Sequence, residues 1–489
     1  MCPLPHSTPI ARAEQTAELQ PTMAGDKLQQ AQQEDAPALH LVVFPWLAFG
    51  HLIPFLELSK RLAARGHSVT FVSTPRNIAR LPPVKVDHVR MVALPLPAVD
   101  GLPEGAESTA DLPPEKVELL KAAFDGFAAP FEEFLAAACS GDRSGGEEQS
   151  GPFARRPDWI LLDFAHYWLS PIADQHQVPC AMFVIYTATW IAYAGSRQEN
   201  IKHPRVTVED LMPMPRWFPT APPSLAFRRH EAAWLAAAGE LNVCTEVEPR
   251  VFPLLADLYR KPVLPAGLLL PPAPDGDRRD DGSADHGALR WLNAQPPRSV
   301  VYVALGSEAP VTAEGVTELA AGLELSGARF LWALRAPGGG AAAVLPEGFE
   351  QRVAGRGVVW TGWVPQVRVL AHTAVGAFLT HCGWGSTVEG LFGFGHPLVM
   401  LPFITDQGLI ARIVAKRGAG MEVARREEDG WFGREDVAAA VRRVMVGEEG
   451  KAIALNARRM REEVVGDDDG RRQEMYLDEL VECLRRHSS

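Results

Sequence analysis

Cysteines are scarce in this sequence, and none of them is spaced as a metal ligand. Six cysteines lie scattered among 489 residues, and no two have the C-x-x-C spacing of a zinc site. Isolated cysteines are typical of reduced thiols in the cytosol rather than of a disulfide framework. We therefore predict a cytoplasmic protein without structural disulfides or zinc.

Long apolar runs and excess positive charge are also lacking. No uncharged stretch of about 20 apolar residues occurs, so no membrane span is predicted. Asp and Glu outnumber Lys and Arg by 60 to 48, and the net charge of -12 argues against nucleic acid as a partner. An acidic chain can still bind an anionic ligand in a locally positive pocket. No G-x-G-x-x-G follows the first predicted strand, where FPWLAFGH stands, which argues against a dinucleotide cofactor.

What is present is a repeated alternation of apolar strand-length segments with helical segments. The predicted strands are 40–46, 67–74, 158–164 and 180–187 in the first half, and 299–306, 330–335, 357–363, 377–381 and 397–402 in the second. Strand, helix and strand at this spacing form βαβ units with parallel pairing. We predict an α/β fold of two Rossmann-like domains facing a cleft, with both ligands at the carboxyl ends of the strands.

Composition suggests where these domains begin and end. Residues 1–38 are rich in Gln, Ala and Pro and are predicted to be a disordered extension, in which either Met1 or Met23 starts translation. The other predicted parts are an N-terminal Rossmann-like domain (39–270), a polar linker (271–287), a C-terminal Rossmann-like domain (288–465) and a last helix that packs back on the first domain (466–489). Residues 141–151 and 212–223 are predicted to be loops.

The most specific pattern lies between Trp363 and Gln407. The spacing W-x-P-Q, then H-x-x-x-x-x-F-x-x-H-x-G-x-x-S-x-x-E, then P-x-x-x-D-Q resembles the signature box of plant family-1 UDP-dependent glycosyltransferases. The resemblance extends from about His40 to the end. It implies the GT-B type of fold, a UDP-sugar donor, a small-molecule acceptor and no metal or cofactor.

The segment HCGWGST follows a predicted strand and opens a helix, whose first N–H groups form an anion site suited to a diphosphate. Trp363 offers a flat face for uracil, Gln366 and Glu389 suit the ribose hydroxyls, and Asp406 and Gln407 suit those of the sugar. The resemblance places these roles on the matching positions, and the predicted donor-binding set is Ser307, Trp363, Val364, Gln366, His381, Gly383, Trp384, Gly385, Ser386, Glu389, Asp406 and Gln407.

Two positions depart from the family pattern. Gly385 stands where the family usually has Asn, which removes one phosphate contact but leaves a backbone N–H. The stretch from Glu389 to Pro397 is one residue longer than usual. A helical bulge or a shifted helix end would absorb the extra residue.

PWLAFGHLIP resembles the family's G-H-x-x-P element and places His51 after the first strand. A neutral imidazole suits removal of the acceptor's proton as its hydroxyl attacks the anomeric carbon. On the resemblance Asp163, at the end of DWILLDF, is the carboxylate that fixes the imidazole tautomer. Such a mechanism is a single displacement that inverts the anomeric centre.

Plainer interpretations exist for several of these residues. Asp163 could cap the following helix, Trp363 could belong to the core, and His372 is interpreted as a structural hydrogen-bonder. His166 is a nearby rival for the role of base. Cys382 lies beside His381, but this adjacent pair is not interpreted as a metal site.

These patterns favour an inverting transfer of glucose from UDP-glucose to a plant small molecule. Within the family, segments such as 73–83 and 102–109 resemble the branch that extends sugars of flavonoid or terpenoid glycosides. The acceptor pocket is predicted to consist of loops 95–107 and 186–223. A UDP-rhamnose-dependent transferase and a UDP-sugar binding protein without turnover remain alternatives, and a UDP-sugar epimerase or NAD-dependent enzyme is less favoured.

Overall fold

The computed structural model describes residues 37–84, 86–140, 153, 155–218, 227–232, 251–270, 286–306, 309–334, 345–466 and 471–488. Within these ranges eleven strands form two parallel sheets. In the first sheet, ordered β3-β2-β1-β4-β5, the strands are β1 (His40–Phe44), β2 (Ser68–Ser73), β3 (Val89–Ala93), β4 (Trp159–Leu162) and β5 (Cys180–Met182). In the second, ordered β11-β10-β9-β6-β7-β8, they are β6 (Val300–Ala304), β7 (Arg329–Ala333), β8 (Gly357–Trp360), β9 (Val375–Thr380), β10 (Leu398–Met400) and β11 (Gly420–Glu422).

Both sheets are centred on strands that are buried throughout. All five residues of β1 are buried, because helices cover both faces of a parallel sheet. β1 pairs with β4 so that Phe44 lies opposite Leu162, and the segments that follow the two strands emerge side by side. In the second sheet β6 and β9 are neighbours, with Ala304 opposite Thr380. The prediction of two Rossmann-like α/β halves is confirmed.

Helices connect these strands and cover the sheets. Those before β6 are α1 (Phe49–Ala64), α2 (Pro75–Arg80), α3 (Val117–Asp125), α4 (Ala128–Ser140), α5 (Leu169–Gln175), α6 (Ala188–Ala194), α7 (Arg197–Lys202), α8 (Val208–Leu211), α9 (Phe252–Tyr259) and α10 (Gly287–Asn293), with 3-10 turns at Thr109–Asp111 and Pro114–Lys116. Those after it are α11 (Ala313–Ser326), α12 (Phe349–Arg352), α13 (Gln366–Leu370), α14 (Trp384–Thr387), a π-helix (Val388–Gly393), α15 (Gln407–Lys416), α16 (Arg434–Met445), α17 (Gly447–Val465) and α18 (Arg471–Arg486).

The last helix, α18, packs against the first half of the chain. Leu477, Val481 and Leu484 belong to the same buried cluster as β1 and α1. The indole of Trp159 donates to the carbonyl of Leu484 at 3.1 Å. Arg65 of α1 pairs with two acidic residues of α18 at 2.7 and 2.8 Å. Apolar burial therefore holds α18 on the first sheet, and ion pairs line its edge.

Some sequence-based expectations need correction. Strand β5 ends at Met182 rather than at 187, because the chain leaves the sheet edge there and turns towards α6. The segment 186–223 is not simply a loop, since α6, α7 and α8 occupy much of its described part. The loop 141–151, the extension 1–38 except its last two residues and the linker 271–287 except its last two lie outside the described residues. None of the described helices combines the length and apolarity that a membrane span requires.

Candidate active site

His51 lies in the first turn of α1, just beyond the carboxyl end of β1. Its side chain is buried, with a residue exposure of 6%. Asp163 follows β4, the neighbour of β1, and is fully buried. His51 Nδ1 and Asp163 Oδ2 are 2.7 Å apart, so the strand pairing brings together two residues separated by 112 positions.

Asp163 is held as a carboxylate by the groups around it. Burial opposes its ionisation, but the charge of His51 and hydrogen bonds from His51 and the Trp46 N–H outweigh burial and keep the pKa of Asp163 below its usual value. Trp46 N donates to Oδ2 at 3.0 Å, and Phe164 N donates to Oδ1 at 2.8 Å. An ionised carboxylate only accepts hydrogen bonds, so Nδ1 of His51 carries a proton, and in the neutral form of the ring Nε2 has the lone pair.

His166 does not share this arrangement. Its ring packs between Phe44 and Phe124, with centroids 4.8 Å from each. Burial lowers the pKa of His166 to about 4, so the ring is neutral at pH 7. Its Nδ1 lies 3.1 Å from the carbonyl of Asp163, which makes it a core residue beneath the pair.

The turn from β9 into α14 surrounds His381 with backbone. A Cβ at Gly306 would lie 2.7 Å from Cε1 of His381, and a Cβ at Gly383 would overlap its Nε2. The Nδ1 of His381 is buried without a hydrogen-bond partner, and burial lowers the pKa of the ring to about 4. Cys382 has a positive φ of 63°, a strained conformation for a residue other than glycine. This turn therefore presents a neutral imidazole and the first N–H groups of a helix to the same space.

The other residues of the HCGWGST segment lie along this helix start. Trp384 and Ser386 are partly buried, whereas Gly385 is exposed and has no atom within 4 Å of a Cβ built on it. Trp384 packs against Phe392 with ring centroids 6.0 Å apart. Ser307, a predicted partner of this turn, lies outside the described residues.

The extra residue after Glu389 is absorbed by a π-helix. Helix α14 continues without a break into the π-helix Val388–Gly393, which carries Glu389. A π-helical turn accommodates one additional residue in a helix, as the sequence predicted for this stretch. Glu389, which precedes the extra residue, accepts a hydrogen bond at its Oε2 from Gln366 Nε2 at 2.7 Å.

A second group of predicted residues lies around Gln366. Tyr302 of β6 donates to Gln366 Oε1 at 3.2 Å, which fixes the amide so that its NH₂ faces Glu389. Burial raises the pKa of Glu389 despite the hydrogen bond from Gln366. Val364 is partly buried, whereas Trp363 is 67% exposed and thus leaves an aromatic face open beside this network. Trp363 is therefore not a core residue.

Asp406 and Gln407 lie between β10 and α15. Oδ2 of Asp406 is buried and has no hydrogen-bond partner, and burial raises the pKa of this residue to about 7. A hydrogen bond from the Thr405 side chain and one from the Asp406 backbone oppose this rise only in part. Gln407 Oε1 accepts from the backbone N–H groups of Phe403 and Ile404 at 2.9 and 3.1 Å, which leaves only its NH₂ for a ligand. Thr405 has a positive φ of 53°, so strain accompanies this turn as well.

Comparison with known proteins shows which family the chain resembles. Residues 269–462 match the family model described as UDP-glucoronosyl and UDP-glucosyl transferase. Over 477 residues the chain is 40% identical to UDP-glycosyltransferase 91C1 of Arabidopsis thaliana, a match that covers 92% of this chain and 97% of that protein. Soyasaponin III rhamnosyltransferase of Glycine max is 35% identical over 476 residues, which cover 92% of this chain and 96% of that protein.

The chain belongs to the plant UDP-glycosyltransferase family. It is therefore a glycosyltransferase that uses a UDP-sugar donor. Arabidopsis thaliana UGT89C1 complexed with UDP-L-rhamnose superimposes with a TM-score of 0.68 at 27% identity, covering 92% of this chain and 100% of that one. This likeness confirms the predicted GT-B fold.

Tyr186 of this UDP-glycosyltransferase begins the predicted acceptor segment 186–223, but its contact with the catalytic pair was not predicted. Its hydroxyl lies 3.1 Å from Nε2 of His51, and the two rings meet edge to face with centroids 5.6 Å apart. Tyr186 stands directly before Thr187, whose side chain caps α6. An aromatic residue between a strand and a helix cap is too common a pattern to mark a site, so only the fold reveals the contact.

Proposed function

We propose that the enzyme transfers glucose from UDP-glucose to an acceptor hydroxyl, with His51 as the base. The acceptor oxygen forms a bond to the anomeric carbon, and the bond from that carbon to the β-phosphate oxygen breaks. UDP leaves with the electron pair, and Nε2 of His51 takes the acceptor's proton. Attack opposite to the leaving group inverts the anomeric centre.

The observation that carries this proposal is the pairing of His51 with Asp163 at 2.7 Å. Asp163 fixes the imidazole as the tautomer that has a lone pair at Nε2, and it stabilises the imidazolium that forms. In the second half of the chain, the partnerless Oδ2 of Asp406 is a hydrogen-bond acceptor suited to a sugar hydroxyl. In this proposal the base and the sugar-binding group act on either side of the anomeric carbon.

The donor is proposed to lie along the second half of the chain. The exposed face of Trp363 would stack on uracil, and Gln366 with Glu389 would bind the ribose hydroxyls. The unpartnered Nδ1 of His381 and the N–H groups that begin α14 would bind the diphosphate. The first half is then left to hold the acceptor.

An existing glycoside is the proposed acceptor. Segments 73–83 and 102–109, which resemble the glycoside-extending branch, are hydrogen-bonded to each other. Asn77 Nδ2 donates to the carbonyl of Glu107 at 2.7 Å, and Arg76 N donates to the carboxylate of Glu107 at 2.8 Å. The similarity to soyasaponin III rhamnosyltransferase also supports a glycoside, since a saponin is one by definition.

Free thiols at Cys139, Cys180, Cys382 and Cys483 support a reducing compartment such as the cytosol.

UDP-rhamnose is the second candidate donor. It is favoured by the similarity to soyasaponin III rhamnosyltransferase and to UGT89C1, whose structure contains UDP-L-rhamnose. Against it, members of the family that end the donor box with a Gln, as this chain does at Gln407, commonly use UDP-glucose. The free NH₂ group of Gln407 can donate to a hydroxyl.

A mass-resolved transfer assay tests the proposal. The purified enzyme receives UDP-glucose or UDP-rhamnose with a panel of plant aglycones and their monoglucosides, beside His51→Ala and the exposed control His203→Ala. We expect a hexose gain on monoglucosides with the wild type and with His203→Ala, and a loss of about 10²–10⁴-fold with His51→Ala. A deoxyhexose gain would assign rhamnose, and a gain on aglycones alone would exclude a glycoside acceptor. UDP binding without UDP release in any reaction would indicate a binding protein.

A further inference from the structure

The Nε2 atom of His51 already has a hydrogen-bond partner in this fold. The hydroxyl of Tyr186 lies 3.1 Å from it. In the neutral ring that can act as a base, Nδ1 of His51 donates to the ionised Asp163 and Nε2 accepts, so the phenol O–H is then the donor of this bond. An alcohol that transfers its proton to His51 must donate to the same lone pair.

The surroundings of His51 leave little room for a second donor. Its ring lies between Phe164, with centroids 5.3 Å apart, and Tyr186, with centroids 5.6 Å apart. Only 6% of the residue is exposed. A hydroxyl that binds Nε2 therefore competes with the phenol of Tyr186 for this atom.

We propose that the phenol of Tyr186 occupies the hydrogen-bonding position on Nε2 of His51 that the acceptor hydroxyl needs. Only a bound acceptor displaces the phenol from this position. This inference rests on the proposed role of His51 as the base. Tyr186 acts through His51 and is a positioning residue rather than a catalytic one. Its phenol keeps water from the lone pair while UDP-sugar alone is bound, and thereby suppresses donor hydrolysis.

The hydrolysis that Tyr186 suppresses follows the same bond changes as transfer. A water oxygen forms a bond to the anomeric carbon, and the bond from that carbon to the β-phosphate oxygen of UDP breaks. UDP takes the electron pair, and Nε2 of His51 takes one proton from the water. Free sugar and UDP are the products, and the proton on His51 returns to solvent.

Tyr186→Phe tests the proposal, because it removes the hydroxyl and keeps the ring. Displacing one hydrogen bond changes an equilibrium by about 2- to 10-fold, so we expect acceptor KM to fall by about that factor. UDP release from UDP-glucose without acceptor is expected to rise by a similar factor. Tyr476→Phe, on the last helix, is the matched control and should leave both quantities unchanged.

His51→Ala and the double variant separate the possible failures. The hydrolysis gained in Tyr186→Phe should vanish in His51→Ala/Tyr186→Phe, because water then has no base. If His51→Ala abolishes transfer while Tyr186→Phe changes neither KM nor hydrolysis, the inference about Tyr186 is wrong and the proposed base stands. If His51→Ala transfers normally, the proposed base itself is wrong. A fall in kcat in Tyr186→Phe without more hydrolysis would make the phenol a proton relay and overturn the inference.

Discussion

The carboxylate of Asp163 accepts hydrogen bonds from His51 and from two backbone N–H groups, those of Trp46 and Phe164. Three donors converge on two oxygens that are fully buried. Few side chains could replace Asp163, because each of the three donors needs an acceptor. A donor that lost its acceptor would stay buried without a hydrogen-bond partner. The same geometry fixes both the fold of two loops and the proton position on the imidazole.

Asp163→Asn is expected to impair catalysis more than folding. Asn has one acceptor oxygen, so the tautomer of His51 is no longer fixed and one backbone donor loses its acceptor. We expect kcat to fall by about 10²–10³-fold and the free energy of unfolding to fall by about 1–3 kcal/mol. Steady-state kinetics and urea unfolding measure the two effects, with exposed Asp174→Asn as the control. Unchanged kcat would show that Asp163 only supports the fold.

The buried carboxyl of Asp406 should make stability depend on pH. Its folded pKa of about 7 lies above the unfolded value, so its stabilising contribution is complete below about pH 4 and is lost as pH rises through 7. The loss amounts to at most about 4 kcal/mol. Because Asn stays uncharged, the unfolding free energy of the wild type should fall relative to that of Asp406→Asn from pH 4 to pH 8. A pH-independent difference would contradict the raised pKa.

Gly385→Asn restores the side chain that the family usually has at this position. A Cβ there meets no atom within 4 Å, so the substitution is sterically free. One added hydrogen bond to the diphosphate is expected to lower KM for the UDP-sugar by about 3- to 10-fold. Gly385→Ala is the comparison variant, since it raises helix propensity by up to about 1 kcal/mol without adding an amide. Equal KM values in the two variants would mean that the Asn side chain does not reach the donor.

The ion pair between Glu231 and Arg412 is expected to stabilise the contact between the two halves of the chain. Glu231 is 6% exposed and its Oε1 lies 3.0 Å from Arg412 Nη1 on α15, the helix that begins just after Asp406. Burial opposes ionisation of Glu231, but the charge of Arg412 outweighs it and lowers the pKa. Glu231→Gln leaves a buried guanidinium without its counter-charge and should reduce the unfolding free energy by about 3 kcal/mol.

An exposed ion pair provides the control for this prediction. Glu324 Oε1 and Arg352 Nε are 2.8 Å apart, and the two side chains are 27% and 46% exposed. Glu324→Gln should therefore lower the free energy of unfolding by less than about 1 kcal/mol. Thermal or urea unfolding of both variants measures the difference. Equal losses would mean that burial does not strengthen the Glu231 pair. The Glu231 contribution itself should disappear as pH falls through its lowered folded pKa.

Much of the fold could be predicted because its signals are local. The buried run HLVVF predicts β1, and its alternation with helices implies parallel sheets. The donor residues from Trp363 to Gln407 share one short segment with fixed spacing, so their grouping needed no structure. The stretch after Glu389 likewise showed one extra residue, although only the structure revealed a π-helix there.

The sequence by itself determined the family, the two α/β halves and the positions of the proposed donor and catalytic residues. Only the tertiary structure decided which side chains meet across long separations. Tyr186 reaches His51 over 135 positions, and Glu231 reaches Arg412 over 181. The physical reason is that strand order and helix packing set these distances, and no local periodicity records them. Burial, which raises the pKa of Asp406 and lowers that of His381, is likewise a property of the packed chain.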